Sequence, residues 1–267
     1  MSADPGNLNG RSLLAVFAHP DDESLACGGL LAWCADLGAR VSLLCVTHGE
    51  DATSADLDRT ALFRERAREL NDAAQVLGIR EVFLLDYPDG ELPWLDAERA
   101  VKLKADIAET IRLLAPDVVI TFGEDGLYWH PDHIAVHEAT TAAVNALGSA
   151  APALYYVTMP QGAVRALVER VERQAPEGPS HRHVLGIDDP DAFGALASPP
   201  TLVVDVTRHA VAKLRALRCH RTQVAGGALE YLREADAPAL LGIEQFHRAP
   251  GGAEGATFLD QLATPQK

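Results

Sequence analysis

Four short apolar runs, each followed by a longer amphipathic stretch, constrain this chain more than any other feature. Residues 13–18 (LLAVFA), 41–47 (VSLLCVT), 82–85 (VFLL) and 118–122 (VVITF) are almost continuously apolar and rich in β-branched side chains. Strands covered on both faces read this way, because neither face meets water. Residues 25–37, 59–77, 97–114 and 134–147 carry helical periodicity. Three of these stretches stop at a glycine (Gly38, Gly78, Gly148) and one stops ahead of Pro116, as helix C-termini do. The alternation predicts an α/β chain, a Rossmann-like layered fold with a mostly parallel sheet and right-handed crossovers.

The second half is less regular. Residues 153–158 and 202–206 read as further strands, and 211–232 as a helix broken at Gly226 and Gly227. Residues 174–201 are interrupted by Pro176, Pro179, Pro190, Pro199 and Pro200, the composition of a long excursion or lid. The tail after Pro250 is expected to fray. With no linker and no solenoid repeat, the expectation is a single domain over residues 1–267. Its core covers about 12–150, with substrate-side additions over 151–250 and the frayed tail over 251–267.

Composition narrows the functional classes. Apolar residues are 48% of the 267, enough for a packed core. There are 23 basic and 38 acidic residues, a formal charge of −15. That sign repels phosphate backbones and anionic membranes, so neither nucleic acid nor membrane is expected as a partner. Cys27, Cys34, Cys45 and Cys219 have no metal-knuckle spacing and no disulfide framework, and Cys27 and Cys34 read as buried free thiols. Residues 1–11 lack a basic signal region, and no apolar run approaches a membrane span. The reading is a soluble, cytoplasmic protein.

The chemistry lies just after two of the strands. Residues 13–18 are followed by His19-Pro20-Asp21-Asp22-Glu23, and residues 118–122, after a short loop, by His130-Pro131-Asp132-His133. Each segment opens a helix beyond the carboxyl end of a strand, where open α/β sheets bind ligands. Proline in the first helical turn stiffens the corner that carries the His and Asp side chains. A catalytic zinc site takes about three protein ligands and leaves one position open. His19, Asp22 and His133 can supply that set. Asp21 can then take a proton from the metal-bound water as general base. His130, its charged form stabilised by Asp132, would stand near a developing oxyanion. HPD also serves as a helix-capping sequence, but two such corners, each with extra His or Asp, favour the metal site.

AHPDDE followed about a hundred residues later by HPDH resembles the PIG-L/LmbE-like family of zinc-dependent N-deacetylases. Arg66-Ala67-Arg68-Glu69-Leu70, the Asp89-Gly90 turn and His220-Arg221-Thr222-Gln223 are similar to further elements of that family. The resemblance implies His19, Asp22 and His133 as metal ligands, Asp21 as base, and His130 supported by Asp132 at the oxyanion. It adds Tyr128 as an oxyanion or substrate contact, and Glu50 and Arg66 as sugar contacts. It implies Zn²⁺, with Fe²⁺ or another divalent ion open to the same ligands. The substrate it implies is an N-acetylglucosamine-containing small molecule that loses its acetyl group; homo-oligomers are common in the family.

Two other readings stand beside it: a zinc amidase for another N-acyl natural product or thiol conjugate, and a non-catalytic metal- or sugar-binding protein. A nucleotide-binding Rossmann protein is disfavoured, since Gly28-Gly29 lacks the glycine fingerprint and reads as close helix–sheet packing. His137, one helical turn after His133, reads as a helix-surface or supporting residue. His48 reads as a loop residue, and His181 and His183 as solvated. The acidic run Glu50, Asp51, Asp56 and Asp58 reads as a solvated loop.

Overall fold

The apolar runs form the middle of one seven-stranded sheet in the computed structural model, which describes residues 6–52, 57–174 and 183–264. Strands β1 (Ser12–Phe17), β2 (Arg40–Thr47), β3 (Glu81–Tyr87), β4 (Val118–Phe122) and β5 (Ala153–Thr158) pair in parallel. The last two, β6 (Leu202–Asp205) and β7 (Ile243–Gly252), complete the sheet antiparallel, giving the order β3-β2-β1-β4-β5-β7-β6. Every residue of β1 and β4 is buried, as the unbroken apolarity of those runs requires of a sheet with helices on both faces. After β3 the chain crosses back to place β4 against β1, so β1 and β4 diverge at their carboxyl ends. A crevice at such a reversal is where open α/β sheets bind ligands.

The helices begin and stop for local reasons. Helix α1 (Asp22–Asp36) starts at the end of the HPDD corner, three residues before the apolar periodicity does. Helix α2 (Arg59–Leu77) is capped by the Asp58 carboxylate, which accepts from the Ala61 amide at 2.8 Å, and closes on left-handed Gly78. Helix α3 (Ala97–Leu114) is capped in the same way by Asp96. A one-turn helix α4 (Gly126–Trp129) leads into α5 (Pro131–Asn145), which starts at its proline, again earlier than the apolar pattern. Gly28-Gly29 does mark close packing: a Cβ on Gly29 would lie 2.6 Å from Val206 Cγ2.

Two elements escaped the sequence reading and two expectations are corrected. Strand β7 was not legible because its alternation is inverted: Glu244 points in and Ile243 is exposed. The Glu244 carboxylate is satisfied inside by Lys213 Nζ at 2.7 Å and by the Gly29 and Leu30 amides, freed where α1 breaks at Cys27. Helix α6 (Ala163–Gln174) opens the segment before the excursion, and its core spacing Val164, Leu167, Val168, Val171 was there to be read. The expected helix over 211–232 is α7 (Ala210–Cys219) followed by separate single turns Arg221–Val224 and Ala228–Tyr231. The first interruption falls at His220, whose ring turns inward, and not at Gly226. Finally, the tail does not fray over 251–264. Thr257 and Asp260 form a capping box for the turn Phe258–Leu262, which buries Phe258, Leu259 and Leu262 against the core. Ala263 bridges to Val204 and so covers the free edge of β6.

The cysteines are free thiols, with Cys27, Cys34 and Cys45 buried. Among the described residues, no helix is long and apolar enough to cross a membrane.

Candidate active site

The β1–α1 corner carries His19, Asp21 and Asp22, and the β4–α5 connection brings His130, Asp132 and His133 against it. Two imidazoles meet there. His19 Nδ1 and His133 Nε2 are 3.1 Å apart, and the Asp22 carboxylate reaches both, at 3.5 Å and 3.2 Å respectively. Four-coordinate zinc with bonds of about 2.0–2.1 Å spaces its ligand atoms by about 3.3 Å. The two ring nitrogens therefore stand close to the separation a tetrahedral ion needs, and Asp22 turns Oδ2 toward His19 and Oδ1 toward His133.

The far nitrogen of each ring fixes which edge faces the centre. His133 Nδ1 lies 3.0 Å from the Gly126 carbonyl oxygen. That oxygen only accepts, so the proton is on Nδ1 and Nε2 offers a lone pair. His19 Nε2 lies 2.9 Å from Asp89 Oδ1 and 3.2 Å from Asp132 Oδ2, which places its proton on Nε2 and its lone pair on Nδ1. Two lone-pair edges at 3.1 Å repel unless a cation or a proton sits between them. Burial disfavours charge on His19, yet hydrogen bonds to Asp132, Asp22 and Asp89 outweigh it and push its pKa up. Burial likewise raises the Asp22 pKa, but His133 and His19 outweigh it and hold the carboxyl well below its ordinary value. The donor set of two nitrogens and a carboxylate fits a divalent ion such as zinc, with carboxylate-anchored imidazole behind it. His130 also has a ring nitrogen within 4.8 Å of those of His19 and His133, so the three imidazoles form a second candidate ligand set.

Asp132 corrects an expectation. Its carboxylate makes no hydrogen bond to the His130 ring among the described residues, although its charge favours the protonated ring. It accepts from the Gly90 amide at 2.8 Å and the Leu92 amide at 3.1 Å and meets His19. His130 receives only the Asp132 backbone amide, at Nδ1 and 3.3 Å. Burial, with the neighbouring His133 and His19, lowers its pKa to about 4. His130 is thus a neutral imidazole with its proton on Nε2, a hydrogen-bond donor and not an imidazolium. Asp89 joins Asp132 on His19; the sequence marked it only as a turn residue, and no local pattern announces that pairing. Asp132→Ala is expected to weaken zinc binding by about 10- to 100-fold with His19, Asp22 and His133 all intact. Competition with a chromogenic chelator measures it, and unchanged affinity would rule out Asp132 as an anchor of His19.

Asp21 occupies a strained position, with φ 121° and ψ −26°, a region that L residues enter only when their surroundings hold them there. Arg66 Nη2 donates to its Oδ2 at 3.0 Å. Burial is the main influence on this carboxyl and raises its pKa to about 7, against the opposing charge of Arg66. Arg66 also donates to the Gly49 and Pro20 carbonyls, so it fixes Asp21 and the loop around it while lining the cavity. Tyr128 packs edge-on against His133 with centroids 5.2 Å apart. Burial and nearby carboxylates push its pKa up and keep it a neutral phenol.

These groups floor a cavity of about 470 Å³ lined by His19, Asp21, Asp22, Arg66, Tyr128 and His130. The opposite wall comes from the proline-rich excursion. Leu185, Ile187 and Phe193 line it, and so does His183, which is not simply solvated; His181 lies outside the described residues. Glu50 is not on this wall. It faces a separate groove with Arg59 and Phe63, while its neighbour Asp51 lines the cavity. His48 is buried on Phe63 and bonded to Asp86, and His137 is held by the Phe122 carbonyl.

Fold and site together define an α/β protein with a candidate divalent-metal centre at the reversal of its parallel sheet. The family described as PIG-L, GlcNAc-PI de-N-acetylase, matches residues 14–144. A 1D-myo-inositol 2-acetamido-2-deoxy-alpha-D-glucopyranoside deacetylase of Actinosynnema mirum is 33% identical, over 91% of this chain and 94% of the relative. A protein of that description from Kineococcus radiotolerans is 35% identical, over 80% of this chain and 69% of the relative. The chain belongs to the PIG-L family. Among solved structures, the N,N'-diacetylchitobiose deacetylase of Pyrococcus horikoshii shares the fold, with TM-score 0.62 and 23% identity over 90% of this chain and 84% of that one.

Proposed function

We propose that this protein hydrolyses the N-acetyl group of an N-acetylglucosamine-containing small molecule, releasing acetate and a free amino sugar. The glucosaminide of inositol named for its relatives is the first substrate to try. The observation that carries the reading is the meeting of His19 Nδ1, His133 Nε2 and the Asp22 carboxylate beside an Asp with a raised pKa. His19, Asp22 and His133 would hold the ion, zinc by preference of the donor set. When bound, a divalent ion supplies Lewis acidity to water and to the amide carbonyl.

The chain's own residues do the rest. Asp21, ionised, takes a proton from the attacking water at its carboxylate. Neutral His130 donates from Nε2 to the oxygen that gains charge as the amide carbon becomes tetrahedral, and Tyr128 has a phenol O–H on the same cavity wall. Protonated Asp21 is then placed to return its proton to the departing nitrogen, since an amine leaves far more readily than an amide anion. Arg66 keeps Asp21 aimed through these steps.

The sign of the pH dependence follows. Asp21 acts as a base only when ionised, so kcat/KM falls as pH drops through its pKa. That pKa stands at about 7 from burial, against Arg66, and a nearby dication lowers it further. The acid inflection is therefore expected at or below about pH 7, and Arg66→Gln, which removes a cation, is expected to move it upward. A profile flat from pH 5 to 8 in both wild type and Arg66→Gln would count against Asp21 as the base. Amine release from a panel of N-acetylglucosaminides, with and without chelator, tests the function itself. Turnover of none of them at full zinc loading would reject it.

A further inference from the structure

One buried pair takes no part in these steps. Glu23 and His220 are both fully buried. They lie 197 residues apart in the chain and meet with His220 Nε2 2.9 Å from Glu23 Oε1. Ser24 Oγ also donates to that oxygen, and the other, Oε2, accepts the backbone amide of Asp21 at 3.0 Å. Asp21 is the residue at φ 121°.

We propose that Glu23 and His220 are positioning residues for Asp21: they hold its strained backbone so that its carboxylate faces the scissile amide. The proposal rests on the reading of Asp21 as the base. Asp21 is gripped at two points, its amide by Glu23 and its carboxylate by Arg66. A backbone in this region relaxes unless surrounding contacts over-determine it. The Glu23 carboxylate is such a contact, and it is aimed in turn by His220.

His220 is itself locked. The chain leaves α7 there with φ −79° and ψ 59°. Two residues on, the Thr222 amide and hydroxyl both donate to buried Glu69 of α2, at 2.9 and 2.6 Å. Arg66, the other half of the grip, lies one turn away on the same helix. Both holds on Asp21 thus trace back to α2, and the base is referenced to one rigid element.

Misplacing a reacting group by about 1 Å can cost about 100-fold in rate. His220→Leu removes the donor but fills most of the space, whereas His220→Gln keeps an N–H donor toward Glu23. In the full-length zinc enzyme, H220L is expected to lose at least about tenfold in kcat, with KM within about twofold and zinc still bound one to one; H220Q is expected to recover most of that loss. The split between kcat and KM, and the rescue, are not what a merely structural role gives. A folded, zinc-loaded H220L with wild-type kcat overturns the proposal, as do equal losses in H220L and H220Q. Should H220L fail to fold, Glu23→Ala takes its place: a kcat loss at full zinc loading is expected, and wild-type kcat overturns the proposal. Asp21→Asn run alongside separates the two readings. An active D21N removes the base assignment, whereas an inactive D21N beside fully active H220L or E23A removes only the positioning role.

Discussion

Asp21→Asn is expected to leave a folded, zinc-loaded protein whose kcat is about 10²- to 10⁴-fold below wild type, the range over which a positioned general base contributes. Asn matches Asp in size and still accepts from Arg66 Nη2, now 3.0 Å from Asp21 Oδ2, so the α1 corner need not move. What disappears is the proposed proton acceptor. Burial penalises charge at this position while Arg66 pairs with it, so the two effects oppose each other on neutralisation and a melting temperature close to wild type should accompany the loss of rate. The pairing of these two results is informative, because a residue that only shaped the cavity would trade rate and stability together. Near-wild-type kcat with zinc bound would remove Asp21 from the chemistry. Initial rates of amine release, with metal content measured on the same samples, decide it.

His133→Ala is expected to be the more severe change, because it removes one of the three proposed metal ligands. His133 is fully buried, stacked on Phe122 with centroids 4.0 Å apart, and pinned through Nδ1 to Gly126. Its Nε2 is presented to the centre on a rigid ring. Without it His19 and Asp22 remain, one ligand short of the three that catalytic zinc ordinarily takes. Zinc is expected to be lost on dialysis and turnover to fall to that of the chelated wild type. Since the cavity left by the truncated ring also costs stability, about 2–5 kcal/mol in a packed core, circular dichroism should confirm that the variant is folded before the metal result is read. Retention of one zinc per chain in folded H133A would contradict the ligand set and turn attention to His130, the other imidazole within reach.

The parts of this molecule that were legible in its sequence are those fixed by local physics. Strands β1, β2 and β4 announce themselves because burial on both faces leaves few polar positions, and α2 and α3 because an apolar stripe ending at Gly78 or ahead of Pro116 is a local signal. The two HPD corners were legible for the same reason, since proline and chain order place their His and Asp side chains at strand ends. What the sequence did not show depends on partners far away. Asp132 was read as the companion of its neighbour His130, yet the chain fold offers it two amides near Gly90 and the ring of His19. Glu23 and His220 stood in recognisable motifs, but no spacing rule joins residues so far apart. Strand β7 was hidden by a buried acid, Glu244, whose compensation by Lys213 and two freed amides exists only in the folded state. Glu50 and Asp51 differ by one position, and the Gly49 turn decided which of them lines the cavity. Chain-local patterns give the scaffold and its corners; electrostatic pairing across the sheet gives the roles.

The central claim is that His19, Asp22 and His133 hold a divalent ion with which Asp21 hydrolyses an N-acetylglucosaminide. Its most direct measurement is acetate and free amine released from the N-acetylglucosaminyl inositol by wild-type protein that has been stripped with chelator and then titrated with zinc. Equimolar acetate and amine, absent from the stripped protein and rising to a plateau at one zinc per chain, is the predicted result. Turnover that persists in the stripped protein, or a fully zinc-loaded protein that releases neither product from this or any related glucosaminide, would contradict it.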